Sequence, residues 1–138
     1  MVHSERHRVQ TKGQGDAHDV TGLAAAAVRA SAQRAGVATI FVVGSTAVIT
    51  TIEFEPGAIS DLNDVLEGLA PRHGEYAHHA RWGDDNGSSH VRAALMGPSL
   101  AVPFVEGELA LGTWQQIMLL ECDTRPRARD IVIQVVGE

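Results

Sequence analysis

Val37-Ala38-Thr39-Ile40-Phe41-Val42-Val43-Gly44-Ser45-Thr46-Ala47-Val48-Ile49-Thr50-Thr51-Ile52 is the stretch that decides the fold class of this chain. It holds two runs rich in β-branched residues, Val37 to Val43 and Thr46 to Ile52, of the composition that packs well on a pleated surface. Gly44-Ser45 between them reads either as a tight turn joining adjacent strands or as a bulge in one long strand. Downstream, Leu100 to Val105, Glu108 to Leu111, Trp114 to Asp123 and Ile131 to Val136 also read as strands, with turns at Glu106-Gly107 and Arg125-Pro126. Upstream, Glu5 to Thr11 alternates as a first strand before the turn residues Gly13 to Asp16, and Met1 to Ser4 are expected to be flexible.

Helices are fewer. Thr21 is the expected N-cap of an Ala-rich helix through Leu23, Val28, Ala32 and Ala35, closed by Gly36. Ser60 is expected to cap a shorter helix carrying Leu62, Val65, Leu66 and Leu69, which Pro71 ends. Val91 to Met96 has the composition of a third, starting at Asn86-Gly87-Ser88-Ser89. Strands outnumber helices and short turns dominate, so the expectation is α+β, a compact single domain over residues 1–138 with a largely antiparallel β-sheet and two or three helices.

Bulk properties narrow the function. A net charge of −6 argues against a nucleic-acid partner, because that affinity rests on clustered Lys and Arg meeting phosphates. No run approaches the ~18 apolar residues of a membrane span, so no membrane partner and a cytoplasmic location are expected. The single Cys122, among Ile117, Met118, Leu119 and Leu120, reads as a small buried hydrophobe rather than a nucleophile. Gly13, Gly15 and Gly22 make no nucleotide fingerprint, since no strong strand precedes them and no GK[ST] follows.

The chemistry is expected in Tyr76 to His90, a polar, Gly-punctuated segment with three of the seven histidines and three aspartates or asparagines at Asp84, Asp85 and Asn86. The free N–H groups at the start of the following helix would suit a phosphate or carboxylate. The spacing of the histidines is not diagnostic, and an incidental solvated loop is the alternative reading.

The run Gly97-Pro98-Ser99-Leu100-Ala101-Val102-Pro103-Phe104, then Gly107, Leu111-Gly112-Thr113-Trp114-Gln115-Gln116-Ile117, Asp123 and Arg125 to Arg129, resembles the YjbQ-like family, also called secondary thiamine-phosphate synthase. Gly44-Ser45-Thr46-Ala47, Glu53, His78 and Ser89-His90 extend the resemblance over nearly the whole chain after its first fifteen residues. It implies a homotrimer with sites near subunit interfaces and a divalent metal, zinc or magnesium, held by histidines. The activity it implies joins a pyrimidine diphosphate to a thiazole phosphate with release of pyrophosphate. Where many relatives carry a histidine this chain has Gly44, and where an asparagine often precedes the glutamate it has Ile52, so no metal site here can use a side chain at 44.

On these grounds His78 and His90 are the expected metal ligands, with Asp84, Asp85, water or another subunit as a third. His73 and His79 are expected to face solvent or a neighbouring chain. Glu53 is a candidate general base if partly buried, or a salt-bridge partner at a strand end. Asp85 is a catalytic or metal candidate, or simply opens the Asp85-Asn86-Gly87 turn. Ser45, Thr46, Asn86, Ser88, Thr113, Gln115 and Arg125 are the candidate contacts to a small phosphorylated substrate, with Trp114 packing beside them. Arg125, Arg127 and Arg129 either fork onto phosphate oxygens or form salt bridges on an exposed hairpin. A metal-dependent hydrolase and a noncatalytic trimeric binder of a small anion are the competing readings.

Overall fold

A computed structural model describes residues 1–138. Its elements are β1 (Val2–Gln10), β2 (Ala17–Asp19), α1 (Thr21–Ser31), β3 (Ala35–Val43), β4 (Ala47–Ile52), α2 (Pro56–Leu69), α3 (Ala77–Trp82), α4 (Gly87–Met96), β5 (Ser99–Val105), β6 (Glu108–Leu109), β7 (Gln116–Glu121) and β8 (Ala128–Gly137). All pairings are antiparallel, in a five-stranded sheet ordered β1-β8-β3-β5-β6 and a three-stranded sheet ordered β2-β7-β4. The α+β expectation holds, with four helices instead of two or three.

The quoted stretch is neither a hairpin nor one bulged strand. β3 lies in the five-stranded sheet and β4 in the three-stranded one, so Gly44, Ser45 and Thr46 carry the chain from sheet to sheet. Burial explains the switch. Along β3 only Ala38, Ile40 and Val42 are sealed, and Val37, Phe41 and Val43 face out, whereas Ala47, Val48 and Ile49 of β4 are buried consecutively. A strand apolar on both faces needs cover on both.

One core lies between the sheets: Ala38, Ile40, Val42, Val102, Phe104, Ile131, Ile133 and Val135 from the large sheet meet Ala47, Ile49, Ile117 and Leu119 from the small one, with Ala24, Ala27 and Val28 of α1. The second core, on the far side of the small sheet, packs Val48, Met118, Leu120 and Cys122 against Leu66 of α2 and Ala93 of α4. α4 is thereby held across the small sheet, close to the β3–β4 crossover.

Several local expectations are corrected. Met1 to Ser4, expected to be flexible, are placed in or beside β1: it pairs with β8 from Val2↔Val136 onward, and the amino group of Met1 donates to the Gly137 carbonyl at 3.1 Å. Val20, not Thr21, is the N-cap of α1; the Thr21 hydroxyl accepts the Ile117 N–H, tying the helix to β7 at 2.8 Å. Ala32 at φ 56° closes α1, and Gly36 stands inside β3. α2 begins at Pro56 with Glu55 as its cap, accepting from Gly57 and Ala58, so Ser60 lies within the helix. Burial, with Glu121 adding to it, pushes the Cys122 thiol up to about 12. Native protein at pH 8 is accordingly expected to resist iodoacetamide, with labelling appearing only in denaturant; rapid native alkylation would contradict this.

Candidate functional site

The histidine segment is not a bare loop. Ala77 to Trp82 form one and a half turns of helix, ending at Gly83 with φ 65°. Tyr76 anchors the entry through its hydroxyl, which donates to the Pro71 carbonyl at 2.6 Å, and its ring meets the edge of His79. His79 is structural: its Nε2 accepts the Gly87 N–H at 2.9 Å, doing for α4 what a side-chain oxygen at the N-cap ordinarily does. Gly87 has no room for more, since a Cβ there would lie 2.5 Å from the Tyr76 Cβ. Replacing His79 with Ala is expected to cost about 1 kcal/mol, read as a lower thermal midpoint by circular dichroism; an unchanged midpoint would show that the cap contributes nothing.

His78 and His90 do come together. Their ring centroids are 4.5 Å apart at 38°, across the α3–α4 junction. The Nδ1 of His78 is hydrogen-bonded to Asp84 Oδ1 at 2.9 Å, so the carboxylate sets the ring's orientation and leaves Nε2 unengaged. His90 makes no side-chain hydrogen bond and lines a cavity of about 370 Å³ with Gly44, Ser45, Ala47, Ala93, Ala94 and Pro98. Ser45 is exposed at that cavity, its hydroxyl free. Two imidazoles, one backed by a carboxylate, could supply two nitrogen ligands to a divalent ion. No group of three or more His, Cys, Asp or Glu side chains is arranged to hold an ion within this chain.

The other expected site residues lie elsewhere or are already engaged. Glu53 is exposed beyond β4 and makes no side-chain hydrogen bond, so the partly buried base expected there is not found. Asp85 accepts from the Thr124 hydroxyl at 3.2 Å and sits 3.8 Å from Arg125, which pairs both residues away from the cavity. Thr46 and Ser88 are buried: Thr46 joins Asp123 and Arg129, and Ser88 accepts from Gln14. Asn86 is half-buried, with its Oδ1 sealed and without a partner. With Gly87 N–H also taken, the start of α4 is not the open anion site the sequence suggested. Thr113 and Gln115 are exposed on the β6–β7 connection, where Gln115 accepts from Gly112 and lies against Thr51 beside a different cavity. Trp114 is 73% exposed.

Sequence reading missed a buried ionic cluster behind the crossover. Arg129 Nε and Nη2 donate to Glu121 at 2.8 and 2.5 Å, and Nη2 also donates to the Thr46 carbonyl and hydroxyl. Glu121 further accepts from the Thr11 hydroxyl and the Asp123 N–H. Burial pushes the Asp123 carboxyl up, but the Thr124 amide, the Thr46 hydroxyl and the Arg127 guanidinium outweigh it and hold it below the usual carboxylate range. Alternation along Ala128–Gly137, which places position 129 on the inner face with Ile131, was the only sequence signal for Arg129.

A two-sheet α+β domain with a cavity beside His90 at the point where the chain changes sheets defines the class of protein. The sequence profile of the family described as "UPF0047 protein YjbQ-like" matches residues 5–138, and the chain belongs to that family. It is similar to a UPF0047 protein of Methanothermobacter thermautotrophicus, 35% identical over 137 residues that cover 99% of this chain and 94% of the relative. A UPF0047 protein of Synechocystis is 33% identical, covering 99% and 92%. Among solved structures, a YbjQ-like protein of unknown function from Sulfolobus solfataricus superposes with TM-score 0.88 at 28% identity over 100% of both chains. A hypothetical protein from Aeropyrum pernix gives 0.89 at 28% identity over 98% of each.

Proposed function

We propose that this chain is a metal-assisted enzyme acting on a small phosphorylated substrate at the cavity lined by His90, with His78 against that ring. The reaction is the one the resemblance implies, joining of a pyrimidine diphosphate to a thiazole phosphate. The observation that carries the reading is the Asp84-oriented His78 packed at 4.5 Å against His90, which lines an open cavity with a free Ser45 hydroxyl.

His78 and His90 would hold the ion through ring nitrogens, which favours zinc over magnesium. When bound, the ion supplies positive charge to the departing pyrophosphate. Asp84 keeps His78 in the tautomer that offers Nε2, and Ser45 hydrogen-bonds the substrate at the cavity edge. The joining step forms a carbon–nitrogen bond at the thiazole ring nitrogen and breaks the carbon–oxygen bond to pyrophosphate, which leaves with the electron pair. No proton leaves a nucleophile quaternised in this way, so the exposed Glu53 is not required as a base. Assembly as a homotrimer is part of the proposal; exposed Val37, Phe41, Val43 and Val136 on the outer face of the large sheet support an assembled state.

The test incubates purified protein with zinc or magnesium and both precursors, and measures thiamine phosphate. Product is expected, with metal lost on His78→Ala or His90→Ala and metal affinity lowered about 10–100-fold by Asp84→Asn. No product above a metal-only control overturns the reaction, and metal retained in both alanine variants overturns the ligands. Phosphate release from a single precursor would favour a metal-dependent hydrolase; stoichiometric uptake of metal and anion without turnover would favour a noncatalytic binder.

A further inference from the structure

β4 is an edge strand of the small sheet, and one residue on its open edge offers hydrogen bonds that nothing in the chain takes. In the β4–β7 ladder Ile49 faces Leu119 and Thr51 faces Ile117. The Ile49 N–H turns away from β7 and donates to the Gly97 carbonyl at 3.2 Å, while Ile117 donates to the Thr21 hydroxyl and accepts from the Val20 N–H. Both pairs are therefore of the type without mutual hydrogen bonds, which recurs at every second residue of an antiparallel ladder. The N–H and C=O of Thr51 thus point together off the sheet edge, and neither has a partner.

Thr51 is half-buried and lines a cavity of about 310 Å³ with Ile49, Ser99, Leu100, Leu111 and Gln115. No Asp, Glu, Lys, Arg or His lines it, so a charged group entering would meet no counter-charge, whereas the aliphatic walls suit a flat ring. Gln115 Nε2 reaches the Thr51 hydroxyl only at 3.4 Å, a long contact that a ligand acceptor can replace. The cavity adjoins the one lined by His90. β4 passes from one to the other between Ala47 and Ile49, α4 between Ala94 and Met96, and the chain again between Pro98 and Ser99.

We infer that this cavity is a second binding site, for an uncharged heteroaromatic ring with an acceptor nitrogen next to an amino group, as in 4-aminopyrimidine. The ring nitrogen accepts the Thr51 N–H and the amino group donates to the Thr51 carbonyl. A donor and an acceptor side by side on one residue match such an edge, and they match neither a carboxylate, which only accepts, nor a hydrocarbon ring, which does neither. The site deepens the function proposed above by giving the organic ring a place apart from the metal, and it rests on that reading for the identity of the compound. Ring capture itself needs neither metal nor phosphate.

Titration of the metal-free full chain with 4-aminopyrimidine, followed by amide NMR, tests the site. A saturable shift of the Thr51 amide resonance is expected, with affinity about three- to tenfold lower for pyrimidine, which lacks the amino donor. Thr51→Pro deletes the N–H at a position where an edge strand tolerates proline, and it is expected to bind about three- to tenfold more weakly than Thr51→Val, which keeps that donor. Should Thr51→Pro not fold, the comparison of the two ligands decides. No saturable shift at Thr51, equal affinity for both rings, or equal binding by both variants overturns the site. Ring binding without joining of the precursors leaves the site standing and overturns the reaction. Joining that saturating 4-aminopyrimidine does not inhibit does the reverse.

Discussion

Arg129→Met is expected to destabilise the protein by about 3–5 kcal/mol, the cost of leaving a buried carboxylate without its counter-charge. Glu121 is 0% exposed, and the Arg129 guanidinium meets both of its oxygens. The same guanidinium satisfies the Thr46 carbonyl at 3.0 Å, so its removal also loosens the crossover that shapes the cavity. Urea unfolding followed by circular dichroism measures the loss as a lower midpoint with an unchanged slope. The double variant Arg129→Met with Glu121→Gln is expected to be less damaged than Arg129→Met alone, because no uncompensated charge remains. A single variant within about 1 kcal/mol of the parent would show that water or another cation reaches Glu121.

Gly36→Ala is expected to cost about 3 kcal/mol, for a purely steric reason. Gly36 of β3 faces Gly137 of β8, and a Cβ on Gly36 would stand 2.1 Å from the Val136 carbonyl oxygen and 2.7 Å from the Gly137 Cα. Gly137 is constrained reciprocally, with a Cβ there reaching to 2.1 Å from the Ala35 carbonyl oxygen. Neither obstacle is a flexible side chain, so the strands must part at the edge that also holds the chain terminus to Arg34 and Ala35. The two alanine substitutions are expected to be less than additive, since whichever comes first opens the gap for the other. Thermal unfolding of the singles and the double tests this; a Gly36→Ala variant as stable as the parent would mean that the strands are not so closely apposed in solution.

The strands were legible because β-branched runs and alternation are local signals, and both survive into β3, β5 and β8. Even the change of sheet had a trace: β3 alternates, while Ala47-Val48-Ile49 is continuously apolar. α3 had none, since Ala77-His78-His79-Ala80-Arg81-Trp82 buries no residue and its helix is too short to show a period. Gly36 was legible as a glycine that mattered but not why, because absence of a side chain serves a helix end and a close strand approach equally well. Glu55 was missed as a cap because serine is the commoner signal and Ser60 stood nearby.

The site divides in the same way. Residue types and the family resemblance pointed to His78 and His90, and their rings do lie against each other. They could not reveal that His79 beside them is a helix cap, that Asp84 rather than Asp85 orients His78, or that Arg129 rather than Arg125 lies behind the cavity. Composition and periodicity thus determined by themselves a small, antiparallel α+β chain with a polar histidine segment, since propensity and amphipathic spacing act over a few residues. Tertiary structure alone decided which arginine is buried, which histidine has a free nitrogen and which glycine opens onto a charge. Those outcomes depend on neighbours far apart in the chain, as with Gly44 and Arg129, whose proximity follows from how the two sheets pack and not from any pattern within either segment.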